Sequence, residues 1–296
     1  MAYSKPPQVD AGRPHPARVH DFLLGGRDNY PADQRVARRL PDGAARAARQ
    51  NRAFMRRAVG WLASTGVDQF LDVGTGIPTE PNLHQIVQRV NPASRVVYAD
   101  NDPVVLRYAQ ARLISSPLGA VHYVHADVRE PAALLAAARG LLDLGRPAAL
   151  TLTALLHFLP DEDDPLGLTR TLVAALAAGS YVVLSHDTGD FSGDAADRGA
   201  PAQGQAQGQA PDPARDGAYG AGATLRHRGR ADVSRFFDGL ELVEPGLVAA
   251  PLWYKDTPRP EEETPGVYAG VARVPVARVP VAGVTMTGGP GPRHSG

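Results

Sequence analysis

The chain has 296 residues, 31 Lys+Arg against 31 Asp+Glu, 43% hydrophobic residues and no cysteine. Zero net charge argues against a general nucleic-acid role, and the missing cysteines exclude disulfides, thiolate nucleophiles and cysteine zinc sites. With no charged-then-apolar leader and no apolar run of membrane-spanning length, the expected location is the cytoplasm, and the length suits one substantial α/β domain with additions.

Residues Met1 to His15, rich in proline and polar side chains, are expected to be disordered. In Arg18-Val-His-Asp-Phe-Leu-Leu-Gly-Gly-Arg-Asp-Asn-Tyr30 the residues Val19, Phe22 and Leu23 have helical spacing, Gly25-Gly26 makes a stop, and Asp28, Asn29 and Tyr30 form a polar turn before Pro31. Helical spacing resumes over Ala32 to Leu40 and Ala44 to Ser64, where Phe54, Val59, Trp61 and Leu62 mark the apolar face and the many arginines read as a solvated one.

A short apolar run, Phe70, Leu71 and Val73, then ends in Gly74 and Gly76, the way a buried parallel strand enters a ligand-facing turn. The helix that follows is expected over Pro81 to Val90, with Thr79 as N-cap. Strands at Arg95 to Ala99, Val121 to His125, Ala148 to Leu152 and Tyr181 to Ser185 alternate with helices at Pro103 to Ile114, Pro131 to Leu142 and Asp161 to Ala178. This alternation predicts a doubly wound α/β sheet with right-handed crossovers.

From Asp187 to Arg228 the pattern collapses into glycine, alanine, aspartate and glutamine, which predicts a mobile insertion. A helix at Ala231 to Phe237 and strands at Leu240 to Glu244 and Gly266 to Arg273 resume the fold. The repeated Ala-Arg-Val-Pro-Val that closes the chain loses a backbone donor at every proline and reads as an extended tail. The expected division is a start and helical cap over residues 1–65, a core over 66–273 with the insertion at 187–228, and a disordered tail over 274–296.

In a doubly wound sheet the ligand lies beyond the carboxyl ends of the strands. Those ends carry Asp72, Gly74, Thr75 and Gly76; then Asp100, Asn101 and Asp102; then Asp127 and Val128; then Leu155, Leu156 and His157. Asp100 stands about where a dinucleotide fingerprint puts its ribose-binding acid. Three readings of the glycine loop are open: a dinucleotide site, disfavoured by Asp72 and by Pro78 near the place of a third glycine; another nucleotide-like cofactor; or a tight turn without a ligand.

Taken together, Arg18 to Tyr30, Phe70 to Thr79, Val97 to Val104, Ala126-Asp-Val-Arg-Glu-Pro131 and Leu155-Leu-His-Phe-Leu-Pro-Asp161 resemble the actinobacterial S-adenosyl methyltransferase family. The resemblance spans roughly Arg18 to Arg273 and leaves out the insertion and the tail. It implies a Rossmann-like, seven-stranded, mostly parallel sheet with an antiparallel last strand, an N-terminal helical cap, and S-adenosylmethionine as cofactor. It also implies that Gly74, Thr75 and Gly76 lie against the methionine part, Asp72 near its amino group, Asp100 on the ribose, Asn101 beside the adenine, and Asp127 with Val128 at the adenine edge. Asn29 and Tyr30 would belong to a lid.

A sulfonium is already a strong methyl donor, so a base is needed only if the acceptor must lose a proton. His157 is the candidate base by its position past the fourth strand, with His186 behind it, and the pair His186-Asp187 is too little for a metal site. The loop Leu-Leu-His-Phe lacks the Asp/Asn-Pro-Pro-aromatic pattern common in enzymes that methylate nucleobase or amide nitrogens. A small-molecule acceptor, without nucleic acid or membrane, is therefore expected. A non-catalytic cofactor-binding sensor is the alternative of a different class, and a nicotinamide oxidoreductase is the third reading.

Overall fold

The computed structural model describes residues 10–112, 114–191, 225–254 and 265–276. Parallel strands β1 (Gln69–Val73), β2 (Arg95–Asp100), β3 (Ala120–His125), β4 (Ala149–Thr153) and β5 (Tyr181–Asp187) are followed by β6 (Glu241–Leu242), β7 (Val248–Ala249) and β8 (Val267–Arg273). Their order across the sheet is β3-β2-β1-β4-β5-β8-β6, with β7 also on β8. The last strand, β8, runs antiparallel to β5. Among the described residues the sheet counts eight strands where seven were expected. β6 and β7 pair successive parts of one edge of β8, Glu241 opposite Arg273 and Val248 opposite Ala269, so they form one edge strand broken between them.

Strand parity assigns the two faces. Phe70, Val96, Tyr98, Ala149 and Val183 pack on one face beneath α3 (Ala44–Ser64) and α4 (Leu83–Val90). Leu71, Val73, Val97, Ala99, Leu150 and Leu152 pack on the other beneath α6 (Pro131–Ala138) and α7 (Pro165–Ala174). Asp72 shares the parity of Phe70, so its carboxylate points to the α3 side. The remaining crossover helix, α5, spans Pro103–Arg112, and α8 (Arg230–Ser234) precedes β6.

Several expected boundaries shift for local reasons. The helix after the glycine loop starts at Leu83 with Asn82 as N-cap, because the Gln85 side chain reaches back to the Asn82 N–H at 2.7 Å in a capping box, and Thr79 is not the cap. The helix expected from Asp161 is broken. A 3₁₀ turn at Asp161–Asp163 leads to Asp164, which takes positive φ and caps Gly167 N–H at 3.0 Å, and α7 begins only at Pro165, where proline fits the first helical position.

Ahead of β1, α1 (Pro16–Leu23), α2 (Pro31–Ala37) and the start of α3 enclose a small core of their own: Val19, Leu23, Ala37, Leu40 and Ala48. Leu225 joins this core and Phe158 packs against it. The segment Leu225–Arg228, expected within the mobile insertion, is therefore part of the folded body, as are Asp10–His15 and Val274, whose N–H pairs with Ser180 O at 2.8 Å. Residues 187–191, with Asp187 ending β5, and 275–276 are described as well; of the expected disordered start, insertion and tail, residues 1–9, 192–224 and 277–296 lie outside the described residues. Among the described residues no helix is long and apolar enough to cross a membrane.

Candidate functional site

The chain passes from β1 to β2 and β3 on one side and returns to β4 on the other, so the strand order reverses between β1 and β4. At that point Gly74 has φ 73° and Gly76 φ 66°. The conformation favours glycine there, and a Cβ on Gly74 would also stand 2.6 Å from Leu155 Cδ1, so that side chain would have to move. The loop is pinned to β2: Gly74 N–H donates to Ala99 O at 2.8 Å and Gly76 N–H to Asp100 Oδ2 at 2.8 Å. Asp100 Oδ1 accepts from Asp102 N–H at 2.9 Å. Burial raises the Asp100 carboxyl, and these two donors oppose the rise.

A cavity opens against this loop. Its walls are Asp72, Gly74, Thr75, Ile77 and Thr79 from β1 and its loop, Thr153 and Ala154 at the end of β4, Asn51, Arg52 and Met55 of α3, and Ala17, His20, Asp21 and Leu24 on and just after α1. Asp72 accepts a hydrogen bond from Thr151 Oγ1, its register partner on β4. Burial is the leading influence on Asp72 and raises its carboxyl; the Thr151 bond and the charge of Arg52 pull the other way. Arg52 donates from one terminal nitrogen to Thr79 O and to Pro81 O at 3.0 Å, while its Nε is buried with no hydrogen-bond partner among the described residues.

The α1 wall explains the Arg18 to Tyr30 motif. Asp21 Oδ2 accepts from Asp28 N–H at 2.9 Å and from Asn29 Nδ2 at 2.8 Å, so the polar turn after the glycines wraps around the Asp21 carboxylate. Tyr30 N–H donates to Asp33 Oδ2 at 2.8 Å, and Asp33 is fully buried against Arg18 Nε, whose guanidinium lies 5.2 Å from the Tyr30 ring centroid. Asn29 and Tyr30 are thus one step removed from the cavity, and it is Asp21 that reaches its wall.

Asp100, Asn101, Asp127 and Val128 are not cavity walls; Asp100 ends β2, and the other three follow the ends of β2 and β3. Asn101 Nδ2 donates to Asp127 Oδ2 at 2.8 Å, and Val128 is buried in the core. Burial alone would raise the Asp127 carboxyl, but the Arg129 N–H, Asn101 and the Arg129 charge outweigh it and hold it below the usual range. His15, just before α1, sits 3.1 Å from Asp102 and closes this end from the cap side.

His157, the expected base, lies elsewhere. The 3₁₀ turn Leu156–Phe158 buries its ring, whose Nδ1 accepts from Asp187 N–H at 3.3 Å, and it packs edge-on to His186 at 5.5 Å. His186 is fully buried; its Nε2 accepts from Arg228 at 3.0 Å, and its Nδ1 pairs with Asp187 O at 2.6 Å. Burial, reinforced by neighbouring charge, lowers both rings to about 3. These are packed, neutral imidazoles behind the cavity wall. The residues that sequence reasoning missed are His20, Asp21, Asn51 and Arg52. They stand on helices whose polar faces resemble any solvated face, and strand-end logic does not reach them.

A family model described as S-adenosyl methyltransferase matches residues 2–275. The chain belongs to the S-adenosyl methyltransferase family. A DUF574 family protein from Streptomyces avermitilis MA-4680 is 42% identical, with a TM-score of 0.78 over 90% of this chain and 100% of the other. A candidate methyltransferase from Thermobifida fusca YX is 35% identical, with a TM-score of 0.74 over 93% and 100%. The magnesium protoporphyrin IX methyltransferase from Synechocystis PCC 6803, solved with bound S-adenosylhomocysteine, shares the fold at 12% identity and a TM-score of 0.50, covering 86% of this chain and 92% of that one. No protein of curated function matches the chain. This S-adenosyl methyltransferase therefore uses S-adenosylmethionine as its cofactor, and the nicotinamide reading falls away.

Proposed function

We propose that the methyltransferase holds S-adenosylmethionine across the ends of β1, β2 and β3, with the amino-acid end inside the cavity, and methylates a small-molecule acceptor. The observation that carries this reading is the pair of opposite charges, Asp72 and Arg52, on one cavity beside the glycine loop. The amino-acid end of the cofactor is a zwitterion, so a carboxylate for its ammonium and a guanidinium for its carboxylate are the matching groups. The buried, unpartnered Arg52 Nε supports the match, since such a donor is costly unless something accepts from it.

On this reading Gly74, Thr75 and Gly76 lie along the methionine part, Asp100 takes the ribose hydroxyls, Asn101 flanks the adenine, and Asp127 with Val128 meets its edge. Asn29 and Tyr30 act through the lid, by fixing Asp21 and Arg18. When bound, the cofactor supplies an electrophilic methyl group, which leaves the protein to position the acceptor and exclude water. Support for a small acceptor comes from the enclosure of the cavity by α1 and α3.

Calorimetry with S-adenosylhomocysteine tests the assignment. Asp72→Asn, Arg52→Gln and Asp100→Ala each remove a hydrogen bond to a charged or polyhydroxyl group, and each is expected to weaken binding on the order of tenfold or more. Arg52→Lys, which keeps the charge without the planar fork, should fall between. Unchanged affinity in all of these variants overturns the reading.

A further inference from the structure

His20 is the titratable cavity residue left without a task by the cofactor assignment. It stands on the same face of α1 as Ala17, Asp21 and Leu24, and shares the cavity with Arg52 and with Thr153 and Ala154 at the end of β4. His157 and His186 have ring nitrogens engaged by protein groups, whereas no hydrogen bond to the His20 ring is found among the described residues. Burial, with the charge of Arg52 added, lowers the His20 ring to about 4, so it rests neutral with a nitrogen lone pair to offer, and it can hold a proton only transiently.

The charged and titratable groups around it come from every wall: Asp21 from its own helix, Arg52 from α3, Asp72 from β1, and His157 behind the end of β4. The sulfonium of the cofactor lies only two methylenes beyond the α-carbon of its amino-acid end. An amino-acid end held by Asp72 and Arg52 would therefore present its methyl close to that anchor, on the same cavity that His20 lines.

We propose that His20 is the catalytic base, and that the acceptor presents a nucleophilic atom that carries a proton, a hydroxyl or an amine. This rests on the cofactor reading above and deepens it by naming the acceptor class. The bound cofactor would supply the methyl, its carbon–sulfur electron pair staying on sulfur as the acceptor's lone pair takes the carbon. The proton lost by the acceptor atom passes to the free ring nitrogen of His20 and then to solvent. Burial, and after it the charge of Arg52, returns the ring to its neutral form between turnovers, and Asp21, held by Asp28 and Asn29, fixes the helix turn that carries it.

The test compares two ligands by calorimetry: S-adenosylhomocysteine, and sinefungin, whose amine-bearing carbon replaces the sulfonium. A neutral His20 accepts a hydrogen bond from that ammonium. His20→Ala should lose about tenfold in sinefungin affinity while S-adenosylhomocysteine changes by less than about twofold. His20→Gln, whose side-chain carbonyl can accept the same bond, should recover part of the loss. Equal losses for both ligands would mean a merely structural role, and no loss for sinefungin would place the ring away from the methyl; either result overturns the proposal. Failure of the folded wild-type protein to bind either ligand would overturn the cofactor reading itself, and the His20 assignment with it.

Discussion

Gly25 and Gly26 stand side by side after α1 for different reasons. Gly25 has φ 79° with nothing near the place of a Cβ, so it answers a conformational need that asparagine can also meet. At Gly26 a Cβ would stand 2.1 Å from Asp21 Oδ1, so any side chain evicts the carboxylate around which Asp28 and Asn29 are organised. Gly26→Ala should cost about 2 kcal/mol or more, the scale of lost hydrogen bonds to a charged acceptor, whereas Gly25→Asn should cost less than about 1 kcal/mol. Urea unfolding of the two variants separates them, and equal losses would show that Asp21 is not the centre of the turn. This motif was visible in the chain as a helix stop and a polar turn. What could not be read was its target, because Asp21 looks like any acid on a solvated helix until tertiary packing turns it inward. Asp72 is the opposite case, since its parity with Phe70 already directs it to one sheet face.

Among the elements, the turn after β4, the end of β5 and the segment Leu225–Arg228 form one clamp. Arg228 is buried and donates to Leu156 O and Leu159 O, each at 3.0 Å, to Asp161 Oδ1 at 2.6 Å and to His186 Nε2 at 3.0 Å. Burial alone would raise Asp161, but Arg228 and Arg226 hold its carboxyl below the usual range. The clamp works only while His186 is neutral, because a protonated ring would present a second donor to a guanidinium that has no acceptor. With a folded pKa of about 3 against 6.5 unfolded, the unfolded chain binds the extra proton between these values. Stability contributed by this site is therefore complete above about pH 6.5 and is lost as the pH falls toward 3, by about 1.4 kcal/mol per pH unit per histidine. His186→Gln, which keeps an acceptor for Arg228 and cannot titrate, should make the loss between pH 6 and pH 4 shallower by about one proton. Parallel slopes for wild type and variant in urea titrations across that range would refute the account. Strand-end logic correctly put His157 past β4, but His186, expected just past the fifth strand, lies within β5, which runs on to Asp187 by pairing with β8; the 3₁₀ turn that rolls His157 into this cluster has no periodicity by which to announce itself.

At the scale of the molecule, three apolar clusters among the described residues divide the labour: one on each sheet face, and a smaller one within the cap. The sheet was legible because buried parallel strands are dense apolar runs at regular intervals; β6 was expected over Leu240 to Glu244 and found shorter, whereas β7 was not expected, since a two-residue pairing such as Val248–Ala249 carries no pattern. The division has a mechanical consequence. The cap core is built from few side chains, Val19, Leu23, Ala37, Leu40, Ala48 and Leu225, so α1 and α2 should open locally at a lower free energy than the sheet. The cavity lies between α1 and the ends of β1 and β4, so a ligand there bridges the weak unit and the strong one. At a concentration of S-adenosylhomocysteine about 100 times its Kd, linkage adds about 2.7 kcal/mol to any opening that breaks the site. Amides of α1 and α2 that exchange through cap opening should then slow by about 100-fold. Amides of α6, on the far face and not part of the site, should keep their local exchange rates. Hydrogen exchange with and without the ligand reads both at once. A uniform slowing, or a slowing confined to the sheet with α1 unaffected, would mean that the ligand does not touch the cap, and that the cap is a fixed part of the fold and not the element that closes over the cofactor.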